Sequence, residues 1–425
     1  MIIKLAPYVN VFQFENEEFY IVNNITGEKI FLTNDDSGEF VKLLTYNFQS
    51  FKNLILKTEK GYSSDSSQIK ESLKLLESKG FIEVEKSNKP TDLTIELTRQ
   101  CNERCRHCYI PQKDKNLYSF LSLKDALKAV DEFAEIGGEV VMLTGGEIFL
   151  YQDLLPLISH IHQKNLETYL FSNLVLLTKR FIETLKKYNV ILIQTSIYGH
   201  NSIIHDGITN KTGSFERTIY SIKLLRDKGI KVRVVIVVMK SNYKYLIEII
   251  EMLKAMDCLI GIELNITASY DTSKTNTNER LNEEELKEVL ISLKDYDKSL
   301  FYKTVKVRDL NSGSEYMGYL NAPSCDGGKD SIYLTCENYI CACPQLRTLS
   351  FGSMTEQSLN DILNNDQALL LRNYKNKNFT DCIKCEAQNY CKWCIGLGYT
   401  ETGTIGTLSP YWCQHAFIIK EVAEL

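Results

Sequence analysis

Cys101-Asn102-Glu103-Arg104-Cys105-Arg106-His107-Cys108 places three thiols on one short loop, spaced by three residues and then by two. Three thiolates so spaced can hold three corners of a [4Fe–4S] cube and leave one iron free of protein. A structural or electron-transfer cluster closes all four corners with cysteine, so an open corner implies chemistry at iron. Zinc fits less well. It wants four Cys or His ligands, usually in paired sets, and His107, wedged between Cys105 and Cys108, is an awkward fourth. Disulfides fit less well too. The chain opens MIIKLAPYVN, without the apolar core of a secretory signal, which predicts a cytoplasmic location. Closely spaced cysteines in that compartment bind metal more often than they pair.

The loop is entered from a strand-like run over residues 92–98 (DLTIELT). About forty residues on, Val140–Thr144 is a second such run and ends in Gly145-Gly146-Glu147. Paired glycines let backbone approach a ligand closely, and the adjoining carboxylate can accept from an ammonium group. Alone this triplet also reads as a turn. In this order and at this distance it suits S-adenosylmethionine (SAM) held by its amino and carboxyl groups at the open iron.

These features resemble the radical SAM superfamily. Cys101, Cys105 and Cys108 match its cluster motif, His107 its adenine-packing position, and Gly145, Gly146 and Glu147 its GGE motif. Ser172 and Asn173, in Phe171-Ser172-Asn173, and Ser196, in Gln194-Thr195-Ser196, end strands where the family contacts SAM. Arg233 is a candidate partner for the SAM carboxylate. The resemblance implies reductive cleavage of SAM to a 5′-deoxyadenosyl radical that abstracts a substrate hydrogen, the protein positioning the cofactor and excluding side reactions.

Strand-like runs near 93–98, 139–143, 167–171, 190–197, 231–238 and 259–266 alternate with helical patterns near 122–136, 152–165, 178–188, 214–228, 243–257 and 281–295. Ser122 and Ser214 are placed to cap helix starts, Asn282 precedes a run of Glu, and Gly137 and Gly229 stand where helices end. Strand then helix, six times over, predicts a parallel sheet covered by helices. The resemblance makes it a partial (β/α)6 barrel whose ligand residues sit at strand C-termini.

Nine more cysteines lie between 325 and 413: Cys325, Cys336, Cys341, Cys343, Cys382, Cys385, Cys391, Cys394 and Cys413. By itself Cys382–Cys394 reads equally well as a zinc ribbon. Behind the radical SAM motif the region resembles a SPASM domain, which carries two auxiliary [4Fe–4S] clusters. That resemblance assigns Cys382, Cys385, Cys391 and Cys413 to one cluster, and Cys325, Cys343 and Cys394 to the other. Cys336 and Cys341 are candidates for its fourth ligand; alternatively the site is open to a substrate thiol. Asn338 stands where the family has Gly, and Asn tolerates a left-handed turn. Cys258 reads as a small core residue.

The first ninety residues read strand (8–14), strand (18–24), strand (28–33), then helices near 36–46, 49–58 and 66–79, with a polar linker at 86–90. This winged-helix layout resembles the RiPP recognition element, with Leu5-Ala6-Pro7, Thr26-Gly27 and Lys79-Gly80-Phe81-Ile82 as its marks. In that family a leader peptide adds as a strand to the sheet edge. Winged helices also bind DNA, but a net charge of −5 lacks the basic face that nucleic acid demands. Hydrophobic content of 44% and 24% charged residues are ordinary for a globular protein, and no run is long enough to span a membrane.

The chain is therefore expected to be α/β: 1–88 a winged-helix recognition element, 89–310 a partial barrel, and 311–425 a cysteine-rich SPASM domain. The resemblance points to maturation of a ribosomally made precursor peptide, by thioether formation as in sactipeptide-type maturases. Carbon–carbon or ether crosslinking and sulfatase-type oxidation are alternatives. The expected partners are the peptide and an electron donor such as flavodoxin or ferredoxin, not nucleic acid or membrane. From a different class, an iron–sulfur redox sensor that binds DNA would explain the cysteines and the N-terminus but not Gly145–Glu147. His205, Asp206 and Glu263 are pocket candidates by strand-end position, with no general base assigned.

Overall fold

The computed structural model describes residues 89–425 apart from 118, 189, 309–312 and 393, and, before residue 89, six short strands and Leu76. The chain divides into two compact units, Met1–Lys89 and Pro90–Leu425.

In the first unit, β2 (Val9–Gln13), β3 (Phe19–Asn23) and β4 (Lys29–Leu32) form an antiparallel meander. Their sequences are rich in the β-branched and aromatic residues that suit a pleated surface. A second antiparallel sheet has the order β5-β1-β6, built from β1 (Ile2–Leu5), β5 (Gln49–Ser50) and β6 (Ile82–Glu85). Two points depart from the sequence reading. Gln49–Ser50 is strand where a helix was expected to begin. Ile2–Leu5 and Ile82–Glu85, each only four residues long, pair across some eighty residues of chain, and local pattern does not reveal so distant a partner. The helix expected at 36–46, most of 49–58, and all of 66–79 but the helical Leu76 lie outside the described residues.

The second unit is built on a nine-stranded sheet of order β12-β11-β10-β9-β8-β7-β13-β14-β15. Its first six strands in chain order are β7 (Asp92–Glu96), β8 (Val140–Thr144), β9 (Glu167–Phe171), β10 (Val190–Ser196), β11 (Val232–Val237) and β12 (Leu259–Glu263). All six pair in parallel with their sequence neighbours. Helices Leu123–Glu135, Leu154–Gln163, Lys179–Lys187, Ser214–Asp227 and Leu246–Ala255 connect them, and Glu283–Tyr296 follows β12. The expected elements are present within a few residues at each end. Ser122 and Asn282 cap as read, Asn282 in a reciprocal box with Glu285. Ser214 does not. Gly213 is the N-cap, and the carboxylate of Asp206 reaches in to accept from Gly213 N, Ser214 Oγ and Phe215 N at 2.6–2.8 Å. The helix Ser202–Thr209, which carries Asp206, was missed.

One face of β7 to β11 is buried, while β12 at the edge has no fully buried residue. Leu93, Ile95, Val141, Leu143, Leu170, Ile193, Val232 and Val234 share a core with Phe133, Leu157, Ile161 and Leu253 of the helices. The other face alternates to half-buried or exposed positions. A parallel sheet covered on both faces would be apolar throughout; here the interior face is left open for a ligand.

The C-terminal region completes the sheet. β13 (Ser331–Leu334) pairs in parallel with β7, and β14 (Tyr339–Cys341) and β15 (Gly352–Ser353) follow antiparallel. The turn from β13 to β14 places Asn338 at φ 68°, the left-handed region that Asn tolerates. Among the described residues no helix is long and apolar enough to cross a membrane.

Candidate active site

The C-terminal ends of β8, β9 and β10, with the cysteine loop that follows β7, surround a cavity of about 260 Å³. Cys101, Cys105 and Cys108 all line it, together with His107, Gly145, Gly146, Ser172, Asn173 and Ser196. Tertiary contacts hold the loop. Arg104 and Arg106 donate their backbone N–H groups to Thr209 O (2.9 Å) and Ile208 O (3.1 Å). The Asn173 amide donates to Asn102 Oδ1 at 2.8 Å, and that of Asn276 to His107 O at 3.0 Å.

The glycine pair has a structural reason beyond ligand access. A Cβ on Gly145 would lie 2.4 Å from Thr98 O, and one on Gly146 2.2 Å from Gln100 O. Gly146 and Glu147 donate their N–H groups to those same carbonyls at 2.7 and 2.8 Å. Any side chain here would push away the segment that leads into the cysteines.

Glu147 is enclosed by protein donors. Its carboxylate is fully buried, is absent from the cavity wall, and accepts from Phe149 N (3.0 Å), Ser172 Oγ (2.8 Å) and Asn173 N (2.8 Å). Burial raises its pKa although these donors oppose the rise. It braces Ser172 and Asn173. Arg233 lines a neighbouring cavity that shares Gln194 and Ser196 with this one.

His107 is half-buried, its enclosed Nδ1 has no partner, and its ring meets Tyr198 edge-on at 4.7 Å. Burial lowers its pKa to about 4, so it is neutral near pH 7 and suits packing against a neutral aromatic group. His205 also lines the cavity, but its Nδ1 accepts from Tyr198 N at 3.2 Å. Burial holds it too at about 4. Asp206 is committed to its helix start, and Glu263 accepts from Asn265 N at 3.1 Å in the neighbouring cavity.

Sequence reasoning missed Lys115. It is 3% exposed and lines the cavity with the cysteines; nothing in the polar run around it marks it out. Burial works against its charge, but the three cysteines outweigh burial and raise its pKa. Glu103, inside the motif, is also buried and accepts from Cys105 Sγ at 3.4 Å. Burial pushes Cys101 up to about 12 and Cys105 above its ordinary range. Loading iron would thus release protons, with Lys115 offsetting part of the thiolate charge. Three sulfurs, no fourth cysteine in the wall, and unpartnered polar atoms on His107, Asn102 and Glu103 fit a three-ligand cluster with a polar ligand beside it.

A second cavity, of about 590 Å³, is lined by Cys325, Cys343, Cys382, Cys385, Cys391, Cys394 and Cys413. They divide into two electrostatic groups. Burial and then Cys325 and Cys394 raise Cys343 to about 12, while burial and then Cys391, Cys413 and Cys385 raise Cys382 to about 12. Gly396 leaves room for sulfur: a Cβ there would lie 3.2 Å from Cys343 Sγ. The two candidate fourth ligands do not join them. Cys341 is fully buried, with Sγ 3.5 Å from the carbonyls of Tyr333 and Cys343. Cys336 Sγ lies 3.1 Å from Ser119 Oγ, beside Glu96 and Glu337. Cys341 ends β14 and Cys336 lies in the turn between β13 and β14, and neither lines this cavity. Cys258 is half-buried against the core.

A family model described as the radical SAM superfamily matches residues 95–253, and an iron-sulfur cluster-binding domain, SPASM, matches 325–386. The antilisterial bacteriocin subtilosin biosynthesis protein AlbA of Bacillus subtilis (strain 168) is 34% identical over 154 residues, 36% of this chain. The chain spans about a third of that relative, 34% of its length. The AdoMet-dependent heme synthase of Methanosarcina barkeri (strain Fusaro / DSM 804) is 24% identical over 341 residues, 76% of this chain and 97% of that protein. Streptococcus suis SuiB, solved bound to precursor peptide SuiA, superposes with a TM-score of 0.60 at 17% identity, covering 95% of this chain and 97% of that one. At that identity the likeness is one of fold. The cysteine loop thus lies in a radical SAM domain and the first cysteines of the second cavity in a SPASM domain, with [4Fe–4S] clusters and S-adenosylmethionine as cofactors.

Proposed function

We propose that the chain is a peptide maturase that joins a cysteine sulfur to a carbon of a ribosomally made precursor. The observation that carries this reading is the pair of sulfur-lined cavities in one compact unit, one with three cysteines and the other with seven. A bound [4Fe–4S] cluster with SAM supplies, on reduction, a radical able to take hydrogen from an unactivated carbon.

The chain's own residues hold and orient. Cys101, Cys105 and Cys108 would bind the SAM cluster. Cys382, Cys385, Cys391 and Cys413 would bind one auxiliary cluster, and Cys325, Cys343 and Cys394 the other, with a position left for a peptide thiol. Neutral His107 and Tyr198 form a wall for the adenine. The backbone at Gly145 and Gly146, with Ser172, Asn173 and Ser196, offers polar contacts to the methionyl end. Leader capture falls to the Met1–Lys89 unit, by strand addition to an edge of its antiparallel sheets. An electron donor such as flavodoxin or ferredoxin would serve the clusters. The likeness to AlbA, whose name ties it to subtilosin biosynthesis, and a fold shared with SuiB, solved with its precursor peptide, support a peptide substrate.

The heme-synthase match over 97% of that protein favours a second reading, in which a tetrapyrrole fills the barrel. One assay separates the two. Reduced, reconstituted protein is incubated with SAM and the Cys-containing peptide encoded beside its gene, and the peptide is weighed. Thioether formation removes two hydrogens and protects one Cys from alkylation. Loss of two hydrogens with every Cys still alkylable means a carbon–carbon or ether link. Release of 5′-deoxyadenosine should vanish in Cys105→Ala. No release from wild type with full iron content would sink the enzyme reading, and conversion of an iron porphyrin with the peptide untouched would favour the second.

A further inference from the structure

A third cavity, of about 490 Å³, lies against the interior face of β10, β11 and β12 and meets the first at Gln194 and Ser196, which line both. Its charges are one-sided. Arg233 comes from β11, Lys303 from the helix Lys298–Val305, Lys306 from the end of that helix, and Lys392 from the C-terminal cysteine region. Among the described residues Glu263 is the one carboxylate in the lining, and it already accepts from Asn265 N and Nδ2 at 3.1 and 3.3 Å. Lys392 donates to Thr304 O. Among the described residues the side chains of Arg233, Lys303 and Lys306, all three residues exposed, have neither a hydrogen bond nor an ion pair.

Gly261 adds a second observation. A Cβ on it would come within 3.2 Å of the Arg233 guanidinium. The guanidinium thus lies across β12 in space a side chain would fill, which is where glycine in a strand permits close approach. Cations gathered in a recess repel one another, and a recess of one sign concentrates ligands of the other. Arg matches a carboxylate with two parallel N–H bonds.

We propose that this cavity seats a carboxylate of the substrate peptide, either an Asp or Glu side chain or the C-terminus, and so selects which peptide carbon faces the SAM cavity next door. The inference rests on the peptide reading above. Seating a carboxylate on Arg233, with Lys303 and Lys306 around it, fixes the peptide at one point, and the shared wall at Gln194 and Ser196 carries the adjoining residues toward the first cavity.

The test compares kcat/KM for modification of a synthetic copy of the peptide encoded beside the gene. Wild type is set against Arg233→Gln and a Lys303→Gln/Lys306→Gln double variant, with iron content and unfolding midpoint confirming the fold. Each variant should lose about tenfold or more, as when one partner of a charge pair is removed. Peptides with each Asp or Glu changed to its amide, and one with an amidated C-terminus, locate the source. One of them should reproduce the loss in wild type and be insensitive to Arg233→Gln. Arg233→Glu should be rescued by Lys at that peptide position if the source is a side chain. Equal kcat/KM for the variants, or for every neutralised peptide, overturns the inference while leaving the maturase reading standing. A weakened SAM affinity in Arg233→Gln, read by equilibrium dialysis without peptide, also overturns it, since Arg233 would then serve the cofactor. Failure of wild type to modify the peptide removes the maturase reading itself.

Discussion

His205 stacks on Tyr198 at 5.3 Å, accepts from that residue's backbone N–H, and is held by burial at a pKa of about 4 against an ordinary 6.5. Between those values the unfolded chain takes up a proton that the folded chain refuses. The residue therefore stabilises the fold fully above about pH 6.5 and loses that contribution as pH falls toward 4, at up to about 1.4 kcal/mol per pH unit. Urea unfolding of metal-free wild type and His205→Gln should show a constant stability difference above pH 7 that shifts against wild type below 6. A difference that stays flat down to pH 4.5 would mean the imidazole is charged in the folded protein. At the same scale, Glu147 and Arg233 show what residue type leaves open. Each has the right charge for SAM, yet one is enclosed by three donors and the other stands in the next cavity. Strand-end position alone does not distinguish a side chain that faces a ligand from one that braces its neighbours.

The end of β8 and the cysteine loop behave as one element, because the glycine pair and the carbonyls of Thr98 and Gln100 are in backbone contact. Gly146→Ala forces a shift, since its new Cβ would start 2.2 Å from Gln100 O. Reconstituted protein should then bind markedly less iron at the first site and release little 5′-deoxyadenosine, with a stability loss of about 2 kcal/mol or more. Gly207→Ala is the control. It lies in the helix Ser202–Thr209 with open space where its Cβ would go, and Ala there should be neutral or stabilising by about 0.5–1 kcal/mol. Wild-type iron content and SAM cleavage in Gly146→Ala would show that the glycine serves only as a turn.

Barrel and C-terminal region are one folded body because β13 pairs with β7 and because a buried ion pair joins them. Glu96, fully buried on β7, receives two bonds of 2.9 Å from Arg347, itself 6% exposed, which also bonds Glu337, and Glu337 in turn meets Arg99. A buried pair is poor evidence of net stability, but removing one partner strands the other's charge. Arg347→Ala should destabilise the whole second unit by about 3–5 kcal/mol. The loss should appear as a single lowered transition for barrel and cysteine region together in calorimetry. Two separated transitions, with the barrel's unchanged, would show that the regions fold independently.

Sequence by itself determined the strand–helix alternation of 92–296, because each element is long enough to show its own period. It also marked the cysteines that face the two sulfur-lined cavities, because metal ligands on one loop are spaced by local geometry. The division of the seven cysteines of the second cavity into a three and a four comes from a family pattern and not from local spacing. Only the tertiary structure excluded Cys336 and Cys341 from that cavity, brought Lys115 in among the first three cysteines, and gathered Arg233, Lys303, Lys306 and Lys392 around one recess. Those four cations come from elements up to 159 residues apart in sequence, so no local pattern joins them. Burial and long-range pairing decide which side chains meet, and both depend on how the whole sheet closes.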